Sequence, residues 1–248
     1  MNPITAVVIT LNEERNIGRC LESLMPVADE VVVLDSFSTD ATSDICAKYG
    51  VRFVTHEWEG YVATKNYANS LATNNVILSI DADEALSPEL AKSIQELKEQ
   101  EVEGKVFSMN RLMNYCGKWI RHGGWYPDTK VRLFDRRTVK WTGRKVHETL
   151  DIPKGTQVVQ LKGDLLHYSF YTHEEHRKQL ETFATLSAEE MKNQGKRPYL
   201  LEAYVHTGWK FLRDYLFKAG FLDGGTGWTI AKNNAYGVWY KYLKARSL

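Results

Sequence analysis

The sequence predicts an α/β protein: a Rossmann-like, mostly parallel central sheet with helices on both faces, then a helical C-terminal extension. Three observations predict it. From residue 1 to about 100, short apolar runs alternate with helical patterns, the arrangement that builds a parallel sheet from β-α-β units. Two of those runs end in acidic loops, Asp35-Ser36-Phe37-Ser38-Thr39-Asp40 and Asp81-Ala82-Asp83-Glu84, and open α/β sheets bind ligands at the carboxyl ends of their strands. Beyond residue 170 the apolar spacing is helical to the end of the chain.

The first strand, residues 4–10, stops at Thr10-Leu11-Asn12-Glu13-Glu14. Asn12 is expected to cap a helix whose first turn carries Glu13 and Glu14, favourable at the positive end of its dipole. That helix buries Ile17, Cys20, Leu21 and Leu24, spaced i, i+3, i+4, i+7. Strand 30–34 runs into Asp35, and helix 41–49 closes at Gly50, the residue type favoured for a left-handed cap. A strand at 52–55, a helix at 61–72 and a strand at 76–80 follow. Ser87-Pro88-Glu89 gives the next helix a cap, a first-turn proline and an acid, with Leu90, Ile94 and Leu97 as its buried stripe.

Between residues 105 and 168 the periodicity shortens towards two, with strands at 106–109, 131–134 and 158–161. The segment from Gly117-Lys118-Trp119 to Gly123-Gly124-Trp125-Tyr126-Pro127-Asp128 is a loop dense in glycine and aromatics, and long ordered loops tend to be functional. Thr172-His173-Glu174-Glu175 is a capping box for a long helix ending at Gly195. Two further helical patterns, 199–218 and 226–244, flank a glycine-rich loop at 220–227.

With 248 residues, 43% hydrophobic, the chain can bury one substantial core. A net charge of +1 argues against bulk nucleic-acid binding. The charge is uneven: from Lys196 onward the balance is +6, and that tail holds 12 of the 29 aromatic residues. Trp209, Phe211, Leu212, Tyr215, Leu216 and Phe217 lie beside Lys210, Arg213 and Lys218. Such a segment either lies on an anionic membrane surface or packs on the rest of the protein or another subunit. Cys20, Cys46 and Cys116 form no CxxC pair, and the first two fall on apolar helical faces as inert thiols, so a reducing cytoplasm fits. Neither a signal peptide nor a run of ~18 to 20 apolar residues is present, so the expected location is the cytoplasm or the inner face of its membrane.

Four motifs then act together: Thr10-Leu11-Asn12-Glu13-Glu14, Asp35 with Ser38-Thr39-Asp40, Lys65-Asn66, and Asp81-Ala82-Asp83. In order and spacing they resemble a family-2 glycosyltransferase of the GT-A type, an inverting nucleotide-sugar enzyme. Gly124-Trp125-Tyr126-Pro127-Asp128, Arg132-Leu133-Phe134 and Val146-His147-Glu148 resemble, within that family, the lipopolysaccharide inner-core β-1,4-glucosyltransferase branch. The resemblance implies a metal-dependent hexosyltransferase that moves a sugar, glucose in that branch, from a UDP-sugar donor to a glycan or lipid-linked saccharide acceptor. It implies Mg²⁺ or Mn²⁺ as cofactor. It also divides the chain into a catalytic domain at 1–170, with a nucleotide half (1–100) and an acceptor half (101–170), and a helical extension at 171–248.

Sugar transfer needs a grip on the nucleoside, charge neutralisation at the leaving diphosphate and a base for the acceptor hydroxyl. By resemblance Asp35 recognises the uracil-type base, or else merely caps the following turn, and Asp81 the ribose, with Thr10 and Glu13 at the neighbouring strand end. Asp83 is the metal ligand, and His147 is a phosphate or metal contact or else a structural residue. Lys65 either approaches the nucleotide or is a solvated helix lysine; Arg132 either reaches the diphosphate or forms a cross-strand salt bridge. The chain lacks the Glu-Asp pair common in the family's acceptor half, so the base is not carried over directly. Glu148, in a Val-His-Glu motif after a strand-like segment, is preferred to Asp128 in the aromatic loop, with a structural role for both as the alternative. Trp119, Trp125 and Tyr126 either wall an acceptor site or anchor their loop.

Other readings lack their signatures. A nucleotidyltransferase wants a glycine-rich basic loop after the first strand, an Asp-x-Asp phosphatase a nucleophilic aspartate there, and a dinucleotide oxidoreductase Gly-x-Gly-x-x-Gly; none is present. A non-catalytic nucleotide-sugar-binding protein is separated from an enzyme by turnover alone.

Overall fold

The computed structural model describes residues 2–144, 147–196 and 198–247. The chain forms two compact units, Met1–Arg111 with Asp128–His167, and Leu112–Pro127 with Tyr168–Leu248.

In the first unit the predicted alternation is present as β1 (Ile4–Thr10), α1 (Ile17–Leu24), β2 (Glu30–Asp35), α2 (Thr42–Tyr49), β3 (Arg52–Thr55), α3 (Tyr61–Ser70) and β4 (Val76–Asp81). After these come β5 (Glu84–Leu86), α4 (Pro88–Leu97), β6 (Lys105–Tyr115), β8 (Asp128–Asp135), β9 (Lys140–Arg144), β10 (His147–Asp151) and β11 (Gln157–Phe170). The sheet order among the described residues is β3-β2-β1-β4-β8-β6-β11-β5. Pairing is parallel from β3 to β4, while β8 runs antiparallel to both β4 and β6. The antiparallel strands turn side chains of the chain's second half back towards the ends of its first strands.

β1 reads as an unbroken apolar run because both of its faces are covered. Ala6, Val8, Val31, Val33, Leu78 and Ile80 join α1 and α4 in one core. Val7, Leu34 and Ile77 join Ala68, Ala72 and Trp141 in the other. The predicted stripes are buried as expected, Ile17, Cys20, Leu21 and Leu24 on α1 and Leu90, Ile94 and Leu97 on α4. Ser87 caps α4, accepting from the Leu90 amide at 3.2 Å.

The start of α1 differs from expectation. Asn12 has a positive φ of 55° and caps no helix, which begins only at Ile17. Its side-chain oxygen instead accepts from the Thr39 amide at 2.8 Å, and its own amide donates to Ser38 Oγ at 2.7 Å. The Glu13 amide donates to Thr42 Oγ1 and the Glu14 amide to Asp40. The loop after β1 and the loop after β2 therefore satisfy each other's backbone, a demand that outweighs local capping.

The second unit contains β7 (Lys118–Ile120), α5 (His173–Asn193), α6 (Leu200–Leu212) and α7 (Gly224–Ser247). The capping box on α5 is formed, with Thr172 and Glu175 exchanging bonds. A π-helical turn, Arg213–Phe217, continues α6. It brings buried Asp214 to Lys210 Nζ at 2.8 Å, to Arg213 at 3.0 Å and to Asn234 Nδ2 at 3.1 Å. Lys210 and Arg213, for which the sequence leaves a membrane surface and internal packing both open, are thus tied to an internal carboxylate. Gly220 and Gly227 permit the close return: a Cβ on Gly227 would fall 1.9 Å from the Gly220 carbonyl oxygen. Trp125 packs edge-on to Tyr115 and His176, and Trp119 against Tyr168, so both anchor their loop.

Candidate active site

The ends of β1, β2 and β4 are adjacent, with Thr10 paired in register to Asp35 and Ile9 to Asp81. Asp35 is buried and accepts from the Ser38 amide at 2.8 Å and from Ser38 Oγ at 2.5 Å. It therefore shapes the loop beside it. The Thr10 hydroxyl is buried at the same edge and has no hydrogen-bond partner among the described residues. Glu13 accepts from Asn16 Nδ2 at 2.8 Å. Burial pushes its carboxyl above the usual range and nearby Asp83 and Asp40 add to this, partly offset by the Asn16 bond.

Eight side chains of alternating charge form a continuous series across this edge. It begins with Glu148 on β10, 3.5 Å from Lys65 Nζ, and Lys65 lies 3.0 Å from Asp81. Arg132 on β8 bridges Asp81 and Glu84, at 2.8 Å from each. Arg111 on β6 joins Glu84 at 3.4 Å to Asp128 at 2.8 Å, and Lys130 closes the series 2.9 Å from Asp128. Lys65, Glu84 and Arg132 are at most 4% exposed. Burial alone would raise the Asp81 carboxyl, but Arg132 and Lys65 hold it far below the usual range. Burial would likewise weaken the charge on Arg132, which Asp81 and Glu84 more than restore.

Lys65 is accordingly no solvated helix lysine. Its ammonium also lies 4.6 Å from the centroid of the Trp141 ring. Asn66, the next residue, binds the backbone of Trp141 in both directions at 2.9 and 3.0 Å, latching β9 to α3. Arg132 forms the cross-strand salt bridges of the two alternatives. Asp128 is held by Lys130 and Arg111, which lower its carboxyl against the raising effect of burial.

Asp83 stands apart from this series. It occupies a turn between β4 and β5, and that turn separates it from Asp81; an unbroken strand would put residues two apart on one face. Asp83 Oδ2 lies 2.9 Å from Nε2 of His167, on β11. The His147 side chain lies outside the described residues. Glu84, Arg111 and His167 join this arrangement of charges and are candidates that the sequence does not single out. Glu84 carried a signal, being the fourth member of Asp81-Ala82-Asp83-Glu84; Arg111 and His167 lie in ordinary strand patterns.

This geometry places acids at the carboxyl ends of parallel strands, with basic partners from later strands. The profile of glycosyl transferase family 2 matches residues 5–149, which include the strand-end acids, Lys65, Arg132 and Glu148. The chain belongs to glycosyl transferase family 2. The lipopolysaccharide core biosynthesis glycosyltransferase LpsC of Rhizobium meliloti is 30% identical to this family-2 glycosyltransferase, over 98% of this chain and 95% of that protein. An uncharacterized glycosyltransferase of Rickettsia typhi is 27% identical over 100% of this chain and 88% of its own length. A mycobacterial protein of known crystal structure shares the fold, with a TM-score of 0.51 and 17% identity over 75% of this chain and 74% of that one. The fold of this family-2 glycosyltransferase is GT-A, α/β with a C-terminal helical extension.

Proposed function

We propose that this family-2 glycosyltransferase transfers a hexose, glucose by its motifs, from a UDP-sugar to a saccharide acceptor with inversion. The observation that carries the reading is the different partnering of the two strand-end acids. Asp81 is neutralised by Lys65 and Arg132, whereas Asp83 faces the imidazole of His167. Asp81 is then suited to accept from ribose hydroxyls, and Asp83 to meet a cation.

The residues fit a divalent ion that arrives with its nucleotide. One carboxylate and one imidazole are too few for a dedicated cage, and no cluster of three His, Cys, Asp or Glu occurs among the described residues. Mg²⁺ is commonly bound by one or two carboxylates plus substrate phosphates, and an imidazole donor also suits Mn²⁺. When bound by Asp83 and His167, the ion would stabilise charge on the leaving diphosphate as a Lewis acid. The eight-residue series is neutral as a whole, which favours an added cation for the diphosphate.

Asp35 and the unpartnered Thr10 hydroxyl mark the nucleoside end of the cleft. In this reading Glu148, at the end of the series with one cationic partner among the described residues, takes the acceptor proton while the hydroxyl attacks the anomeric carbon opposite the diphosphate. Asp128, held by two cations, is the weaker base. The relative LpsC supports a lipopolysaccharide core or similar cell-envelope glycan as acceptor. No helix among the described residues is long and apolar enough to cross a membrane.

Thermal unfolding with UDP-glucose and Mn²⁺ or Mg²⁺ tests the reading. A donor at ~100 times its dissociation constant adds about 2.7 kcal/mol of stability. Asp83→Asn and His167→Ala should each remove the metal-dependent part. Equal stabilisation in chelator, or in both variants, would exclude the metal role.

A further inference from the structure

The first unit exposes two neighbouring aromatic rings beside the charged series. Trp58 is 48% exposed and Tyr61 41%, although both are large and flat. Their rings meet edge-to-face, 4.8 Å apart at 89°. Tyr61 opens α3, so Lys65 lies one turn further along the same face. The Lys65 ammonium is 5.8 Å from the Tyr61 ring centroid, and the same ammonium touches Asp81 and Glu148.

The segment carrying these rings is braced at both ends. His56 stacks on Tyr67 at 4.1 Å between centroids and its Nε2 lies 3.3 Å from Glu59. The Glu59 amide donates to the hydroxyl of buried Thr64. Gly60, with φ of 91°, makes the bend that turns Tyr61 into the first residue of the helix. A braced ring loses little freedom when a ligand settles on it.

We propose that Tyr61, propped by Trp58, is the stacking surface for the pyranose ring of the nucleotide-sugar donor. Aromatic faces pair with the apolar C–H faces of sugars, and pockets for such ligands combine apolar walls with a few placed polar groups. Position selects the donor sugar over the nucleobase. The Lys65 ammonium that lies 5.8 Å from the Tyr61 ring centroid contacts both Asp81 and Glu148, the proposed ribose contact and base. A ring one lysine away from both borders the reacting sugar, whereas the nucleobase is assigned to Asp35.

This inference rests on the proposed UDP-sugar activity, and calorimetry separates the two. UDP, UDP-glucose, UDP-galactose and UDP-N-acetylglucosamine are titrated into wild type, Tyr61→Ala, Tyr61→Phe and Trp58→Ala with Mn²⁺ present. For the tightest UDP-hexose, Tyr61→Ala should lower affinity roughly tenfold relative to UDP. Tyr61→Phe should keep wild-type values, and Trp58→Ala should fall between. An unchanged ratio of UDP-hexose to UDP affinity in Tyr61→Ala overturns the proposal. So does a parallel fall for UDP itself, which would put the ring under the base. If wild type binds UDP but gains nothing from any of the three sugars, the stacking surface is excluded while nucleotide binding stands. Failure of wild type to bind UDP overturns the activity and this inference together.

Discussion

Arg111 grips Asp128 through two nitrogens on one carboxylate oxygen, Nε at 3.0 Å and NH2 at 2.8 Å, and Lys130 takes the other oxygen. At the far end of the same series Glu148 meets, among the described residues, a single ammonium at 3.5 Å. The two carboxylates that compete for the role of base thus differ in how firmly they are neutralised. Glu148→Gln should cut turnover about 10²–10⁴-fold with UDP binding retained. Asp128→Asn should cost at most about tenfold. Steady-state transfer rates beside UDP calorimetry check both. An inactive Asp128→Asn with a normal Glu148→Gln would reverse the assignment.

Glu84 is 1% exposed, binds Arg132 and Arg111, and accepts from the Asp81 amide at 3.1 Å. Removing one partner of a buried charge set typically costs about 3–5 kcal/mol. Glu84→Gln should therefore lower the unfolding free energy measured in urea by that order, and the midpoint with it, while keeping the shape of the side chain. A midpoint within error of wild type would show that Glu84 supports nothing beyond its own turn.

In the second unit His176 is buried, with Nδ1 3.1 Å from the Tyr115 hydroxyl and the His173 ring also against that tyrosine. Burial, aided by His173 and opposed by a bond with Asn234, lowers its pKa to about 4. The unfolded chain takes up this proton near pH 6.5, and the folded chain resists until about pH 4. The contribution is fully present above pH ~6.5 and falls as the pH drops towards 4, by about 3 kcal/mol in all. His176→Gln should flatten the stability profile in that window. A variant with the wild-type slope, by denaturant titration at each pH, would assign the slope to other groups.

Eleven of the 23 exposed large hydrophobic residues among the described ones fall between Tyr199 and Leu222. Leu201, Tyr204, Val205, Trp209, Leu212 and Phe217 are among them, and concentrated exposed apolar surface marks an interaction site. Because Lys210 and Arg213 are tied to Asp214, attachment to a bilayer should rest on these apolar side chains more than on charge. Wild type should sediment with phosphatidylethanolamine–phosphatidylglycerol vesicles and retain much of that binding at 1 M salt, where the screening length is ~3 Å. Trp209→Ser with Phe217→Ser should abolish it. Equal sedimentation of wild type and variant would return the face to protein packing.

The first hundred residues were legible because their information is local. Apolar runs, the Ser87 cap and the αL position of Gly50 each follow from a few adjacent residues. The strand-end acids were legible for the same reason. For Arg132 the sequence leaves two roles open, and its salt bridges to Asp81 and Glu84 show one of them without testing the other. His167 and Arg111 were invisible because their partners, Asp83 and Glu84, lie 84 and 27 positions away and are brought near by antiparallel strands. Asn12 misled for a related reason: its hydrogen bonds go to a loop 27 residues on. Short-range patterns carry no record of such pairings.

The alternating series has an evolutionary consequence. Inside it every side chain is both a neighbour's counter-ion and dependent on one, so a lone change of sign strands two residues at once. Energies of neighbouring substitutions in such a network do not add. Drift at Lys65, Asp81, Glu84, Arg111, Asp128 and Arg132 should therefore be concerted. Homologues that have lost one member are expected to have lost or inverted an adjacent one, so that the count of opposite charges stays matched while the residues themselves change.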